Sequence, residues 1–169
     1  ETASGVDRSE VLNIPAMIET LRNEATAYSG PLKHEIKIEC DPDLYLYGSD
    51  NEIRSAFTNL VTNAVRYTPA EGLIKIHWYT KGSFAYFEVQ DSGIGIESEH
   101  IPRLTERFYR VDIGRSRETG GTGLGLAIVK RVLLRHQAIL EIESERNKGS
   151  LFRCRFKPGW FFERSLDHV

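Results

Sequence analysis

The chain has 169 residues, 40% of them hydrophobic, which is material for one domain with a real core and excludes a disordered tail or a disulfide-stapled mini-protein. Lys plus Arg total 22 against 24 Asp plus Glu, a formal charge of −2, so no chain-wide cationic field points to nucleic acid or an anionic membrane as partner. The two cysteines, Cys40 and Cys154, form no disulfide framework and suit a reduced intracellular setting; no apolar run approaches the ~18 to 20 residues of a membrane helix. Glu1 to Asp7 lack the basic and apolar regions of a signal peptide and no initiator Met is present, so the expectation is a soluble fragment of something longer.

In chain order, residues 1–8 read as a disordered lead-in, residues 9–159 as one domain and 160–169 as a C-terminal tail. Leu12, Ala16, Leu21 and Ala25 recur at roughly helical spacing, with Asn13 as cap and Pro15 in the first turn. Short strands follow at Ile36–Cys40 and Leu44–Tyr47. Ser49 or Asp50 caps a second helix through Ile53, Phe57, Leu60, Val61, Ala64 and Val65, which Thr68-Pro69 ends. Leu73–Tyr79 and Phe84–Gln90 alternate as strands across a Lys81-Gly82 hairpin turn. A Gly- and Arg-punctuated segment follows Asp91, then a helix from Leu124 to about His136 and strands near Ile139–Ser144 and Leu151–Phe156, joined by Asn147-Lys148-Gly149. The predicted architecture is α+β: a two-layer sandwich with helices on one face of a mixed, mainly antiparallel sheet. Trp160-Phe161-Phe162 is expected to cap the core, the alternative being a sticky exposed segment.

Three features carry chemistry. Asn59 and Asn63 are four residues apart and share a helix face, with Arg66 and Tyr67 one turn on. A lone Asn most simply bonds loop backbone, and buried amides are costly unpaired. Asp91-Ser92-Gly93-Ile94-Gly95 places a carboxylate where a strand ends, followed by glycines that let backbone approach a flat ligand; such a loop alone is usually a turn. Gly120-Gly121-Thr122-Gly123-Leu124-Gly125-Leu126 opens into an apolar helix, whose free N–H groups and dipole suit phosphate oxygens. The run is followed by no Lys-Ser or Lys-Thr and lies in no clear βαβ unit, so it is neither a P-loop nor a dinucleotide fingerprint. Between the glycine motifs, Arg103, Arg107, Arg110, Arg115 and Arg117 make a local cationic segment, either a cover over polyphosphate or a solvated loop.

Taken in order, these residues resemble the ATP-binding catalytic domain of bacterial sensor histidine kinases, within the wider group of gyrase, Hsp90 and MutL ATPases. The matching boxes are Asn59-Leu60-Val61-Thr62-Asn63-Ala64-Val65-Arg66-Tyr67-Thr68-Pro69, Asp91-Ser92-Gly93-Ile94-Gly95-Ile96, Glu106-Arg107-Phe108-Tyr109-Arg110 and Gly121-Thr122-Gly123-Leu124-Gly125-Leu126. The likeness covers roughly residues 35–156, and segments 11–16 and 100–112 resemble one narrower subgroup of these kinases. The resemblance implies a Bergerat-type fold with an ATP lid over about 97–120. It further implies that Asn63 coordinates Mg²⁺ at the phosphates, with Asn59 beside it, that Asp91 accepts from the adenine amino group and that Tyr67 flanks the base. Arg110 would reach the terminal phosphate; Gly93, Gly95, Ile96, Gly121, Thr122, Gly123, Leu124, Gly125 and Leu126 would line the nucleotide. Arg66 stands where the family often has Lys or His, keeping the charge but changing its shape. Phe108 and Tyr109 either anchor the lid by packing or touch nucleotide.

The hydrolases of this group carry a Glu where this chain has Asn59, and an amide is no general base, so the resemblance implies phosphoryl transfer with Arg110, Asn59 and Arg66 in the catalytic set. The acceptor would be a histidine on a dimerisation and phosphoacceptor domain, since His34, His77, His100, His136 and His168 all lie outside the family's acceptor sequence. The resemblance further implies a response regulator as partner, a homodimeric intact protein of which this fragment is a monomer, and a cytoplasmic domain of an inner-membrane protein anchored through segments outside this sequence. The implied signal system is two-component. A nucleotide-gated interaction module without transfer is the alternative, and a Ser/Thr-directed kinase fits the boxes less well.

Overall fold

Side-chain caps set where the helices begin. The computed structural model describes residues 10–96, 98–106 and 125–164. Helix α1 (Ile14–Ser29) starts where the Asn13 side chain accepts the Ala16 N–H at 3.1 Å, and it buries Ile14, Met17, Ile18, Leu21 and Ala25 along one stripe. Helix α2 (Asp50–Tyr67) is capped by Ser49, whose Oγ accepts the Glu52 N–H, and Asp50 and Glu52 complement its dipole. It buries Ile53, Ala56, Phe57, Leu60, Val61, Ala64 and Val65, and the extended backbone at Thr68, ahead of Pro69, stops it. Helix α3 is described over Gly125–Arg135 and buries Val129, Val132 and Leu133.

Strands β1 (Val11–Leu12), β2 (Glu35–Cys40), β3 (Leu44–Tyr47), β4 (Leu73–Lys81), β5 (Phe84–Asp91), β6 (Ile139–Glu145), β7 (Gly149–Phe156) and β8 (Phe161–Glu163) form two sheets. The larger runs β2-β4-β5-β7-β6, with β2 and β4 parallel and the other pairs antiparallel, and so is mixed and mainly antiparallel as the sequence pattern predicts. Alternation puts Ile74, Ile76 and Trp78, Ala85, Phe87 and Val89, and Phe152, Cys154 and Phe156 under the helices. Phe57 of α2 stacks on Phe87 at 3.7 Å between ring centroids, which fixes that helix over the central strand. On the opposite face Arg153 pairs with Glu88, Glu141 and Glu143.

The single sheet expected from the sequence needs correction, because Leu44–Tyr47 belongs to a second, three-stranded antiparallel sheet, β1-β3-β8. Strands of two and three residues are too short to reveal a period, so β1 and β8 carry no signal in the sequence. Trp78 joins the two sheets, its Nε1–H donating to the Leu44 carbonyl at 3.0 Å. The stretch expected as a tail also differs in its described part: Trp160 is buried and Phe161–Glu163 pairs with β3, while Phe162 stacks on Tyr45. Trp160 thus caps the core, the first of the two alternatives for that segment. The lead-in, 1–8, residue 9 and most of the proposed lid lie outside the described residues; within 98–106, Leu104 is buried at the core's margin.

The ends of α2 and α3 are locked together. His136, fully buried, donates from Nδ1 to the Val132 carbonyl at 2.7 Å, and its Nε2 accepts the Ser49 N–H at 3.2 Å. Both bonds require the neutral Nδ1–H tautomer. Burial holds this imidazole below its ordinary value, consistent with that form. Beside it Arg135 clasps Glu52 through Nε at 2.6 Å and Nη2 at 3.1 Å.

Candidate functional site

The polar face of α2 forms one wall. Asn59 donates from Nδ2 to the Ser55 carbonyl at 2.8 Å, which leaves Oδ1 as the outward acceptor. That oxygen looks at Gly125, the first described residue of α3: a Cβ built there would stand 2.8 Å from it. Glycine at this point is therefore what lets α3 come up against the amide. Asn63, Arg66 and Tyr67 continue the same face toward the end of α2, all partly buried. At that end the Tyr67 carbonyl accepts the Ile94 N–H at 3.4 Å. Asn63 thus lies on the stretch of helix between the start of α3 and the loop after β5.

Asp91, last residue of β5, supplies the second wall and is only 7% exposed. Its Oδ1 accepts the Gly93 N–H at 2.8 Å, and the backbone N–H of Ser150 also donates to the carboxylate. Burial pushes its pKa up to about 6, with those two donors pulling the other way. It is still ionised at neutral pH and accepts hydrogen bonds. Gly93 permits this geometry, since a Cβ would come within 2.4 Å of the Tyr67 carbonyl oxygen and 2.7 Å of Asp91 Oδ1.

The loop after Asp91 is bound down onto the β6–β7 hairpin. Gly95 has φ +72° and would, with a Cβ, meet the Glu145 carbonyl oxygen at 2.0 Å. The Asn147 N–H reaches the Ile94 carbonyl at 2.6 Å and the Ile96 N–H reaches Ser144 Oγ at 2.7 Å. Gly149 reads in sequence as a turn residue. In the fold, at φ +118°, it also packs on the Asp91 backbone, where a Cβ would lie 2.0 Å from the carbonyl oxygen. Below the pocket wall, the Thr68 carbonyl accepts from His34 Nε2 at 2.7 Å. Thr68 Oγ1 is, among the described residues, the buried side-chain polar atom left without a partner.

Of the residues singled out from the sequence, the fold thus brings together Asn59, Asn63, Arg66, Tyr67, Asp91, Gly93, Gly95, Ile96 and Gly125, with Leu126 packing against the core behind them. Arg110, Gly121, Thr122, Gly123 and Leu124 lie outside the described residues, as do Arg107, Arg115 and Arg117. Sequence reasoning missed Ser144 and Ser150. Their only trace is a pair of small hydroxyl residues flanking the Asn147-Lys148-Gly149 turn; the register that sets Ser150 opposite Asp91 exists only in the sheet.

The donor set suits a hard cation only in part. Among the described residues no three His, Cys, Asp or Glu converge as metal ligands, so a protein cage for a metal is lacking. An amide oxygen such as that of Asn63 suits Mg²⁺, which keeps several waters and takes few protein ligands.

This pairing of an amide-bearing helix with a buried carboxylate and its glycine loop belongs to a defined class of ATPase. Residues 48–159 match the family described as histidine kinase-, DNA gyrase B-, and HSP90-like ATPase, and the chain belongs to it. Within that family the chain is 54% identical over 145 residues to the phosphate regulon sensor protein PhoR of Pseudomonas aeruginosa, covering 86% of this chain and 33% of that protein. It is 43% identical over 152 residues to the PhoR of Haemophilus influenzae, covering 90% of this chain and 35% of that one. The chain therefore spans about a third of the length of these relatives. In fold it is similar to the mycobacterial sensor histidine kinase MprB, with TM-score 0.77, 23% identity and coverage of 88% of this chain and 96% of that one. It is also similar to full-length ShkA in complex with AMPPNP, with TM-score 0.78, 23% identity and coverage of 96% and 33%.

Proposed function

We propose that this domain binds Mg²⁺-ATP between α2 and the loop after β5, and supplies the γ-phosphate to a histidine on a separate dimerisation and phosphoacceptor domain. The observation that carries the reading is Asp91, a buried carboxylate at a strand end with a glycine loop folded around it. A carboxylate so enclosed is the natural partner of an exocyclic amine, so it suits adenine and disfavours guanine, whose carbonyl would face it. Asn59, Asn63 and Arg66 then lie along the helix face leading to α3, where phosphates would sit against amides, a guanidinium and a helix start. Mg²⁺ would neutralise phosphate charge, with Asn63 as its protein ligand. Asn59 is no general base, which favours transfer over activation of water. Arg110 is assigned to the terminal phosphate and Gly121 to Leu124 to its backbone cradle by the resemblance of their boxes.

The kinship with PhoR extends the proposal to the whole protein: a membrane-anchored homodimer that phosphorylates its own histidine, passes the group to a response regulator and serves phosphate sensing. The test is calorimetric titration of the domain with a non-hydrolysable ATP analogue, with and without Mg²⁺, and, in a separate reaction, incubation of the domain with ATP, Mg²⁺ and a phosphoacceptor-helix fragment and assay for acid-labile phosphohistidine. One saturable Mg²⁺-dependent site and phosphohistidine are expected. Binding without transfer would favour a nucleotide-gated interaction module, and no binding would defeat the site.

A further inference from the structure

We infer that Ser144 is a positioning residue of the adenine pocket, although it belongs to neither glycine box and lies on β6, away from α2. The inference rests on the proposed nucleotide site and deepens it. Ser144 Oγ accepts the Ile96 N–H at 2.7 Å and donates to the Gly149 carbonyl at 3.0 Å. It also lies 2.8 Å from Ser150 Oγ. A hydroxyl has one proton, so with Ser144's on Gly149 it is Ser150 that donates across the pair. All of Ser144's hydrogen-bonding capacity is thereby used.

These bonds lead to two different parts of the pocket. The Ile96 bond fixes the far end of the loop that begins at Asp91. The Gly149 and Ser150 bonds fix the start of β7, where the Ser150 N–H donates to the Asp91 carboxylate and Gly149 packs on the Asp91 backbone. One side chain therefore holds the carboxylate's donor strand and the glycine loop in a single arrangement. Removing the hydroxyl would orphan the partly buried Ile96 N–H and leave Ser150 free to turn, loosening both walls around Asp91. The second tie, Asn147 N–H to the Ile94 carbonyl, would keep the loop folded, so the loss falls on pocket geometry.

The experiment compares Ser144→Val with Ser144→Thr, side chains of like shape and strand propensity that differ in the hydroxyl. Titration with the non-hydrolysable ATP analogue and its guanine counterpart gives affinity and base selectivity; melting curves check the fold. The valine variant is expected to bind the ATP analogue about tenfold more weakly and to lose adenine preference, while the threonine variant stays within about twofold of wild type. A positioning role predicts the change in base preference, which mere loss of stability would not produce. Equal affinity and selectivity in the two variants, whether both high or both low, would overturn the inference. Failure of the wild-type domain to bind would instead overturn the proposed function.

Discussion

Asn59 Oδ1 and Gly125 meet so closely that the first methyl added to the glycine would stand 2.8 Å from the amide oxygen. These residues lie far apart in the chain, and their contact joins the amide face of α2 to the start of α3. The crowded atom is the end of a side chain, so the fold would yield by turning the amide away. Gly125→Ala should accordingly leave the melting temperature unchanged or raise it, since alanine favours a helix over glycine by up to about 1 kcal/mol. Affinity for the ATP analogue should fall about tenfold. Calorimetry and thermal melting of the same preparation check both halves.

In the proposed site Asn63 would offer its amide to Mg²⁺ from a partly exposed helix position, so its loss should cost little stability. Asn63→Ala should abolish the difference between titrations with and without Mg²⁺ while the unfolding free energy stays within about 0.5 kcal/mol of wild type. An undiminished Mg²⁺ effect would remove Asn63 from the metal site.

Asp91 makes stability and binding respond to pH in opposite senses. Its carboxyl is raised from 3.8 to about 6 in the fold, chiefly by burial, so the folded state holds the proton more tightly than the unfolded chain. Between those values the folded state binds more protons, and its contribution to stability falls as pH rises, by at most about 3 kcal/mol, levelling off above about 6. In the proposed site the ionised form accepts from adenine, so binding should weaken as pH drops below about 6. Asp91→Asn should flatten both trends, and the ratio of wild-type to variant affinity cancels the titration of the nucleotide's own phosphates. Asp91→Ala should lose preference for ATP over GTP analogues.

His136 opposes that stability trend. Burial lowers its folded pKa below the ordinary 6.5, despite the Val132 carbonyl and Glu52, with Arg135 adding to the lowering. The unfolded chain therefore takes the proton first, and the contribution to stability is complete above about 6.5 and lost as pH falls toward the folded value. His136→Phe removes the acceptor of the Ser49 N–H and should cost about 1 to 3 kcal/mol at neutral pH. It should also remove this acid-side loss from a plot of unfolding free energy against pH.

Much of the site was legible because it is built from local patterns. Asn59, Asn63, Arg66 and Tyr67 share a face through the helical period alone, and Asp91 precedes its glycines within one loop. Ser144 and Ser150 were not legible, since a serine in a strand carries no sign of its partner until register sets Ser150 opposite Asp91. His136 likewise looks like any helix-end histidine until Ser49, 87 residues earlier, presents its N–H. The second sheet escaped notice because β1 and β8 are two and three residues long, below any period.

By itself, the sequence determined the α+β class, the two long amphipathic helices, the segments that form the longer strands and the four ordered boxes that mark the ATPase family. Those are properties of spacing along the chain, which caps, periodicity and glycine fix over a few residues. Tertiary structure alone decided that Gly125 abuts Asn59, that Gly149 and Ser144 brace Asp91, and that burial raises the Asp91 pKa to about 6. Close contact, register and exclusion of water arise only between distant segments, and no pattern within either segment encodes them.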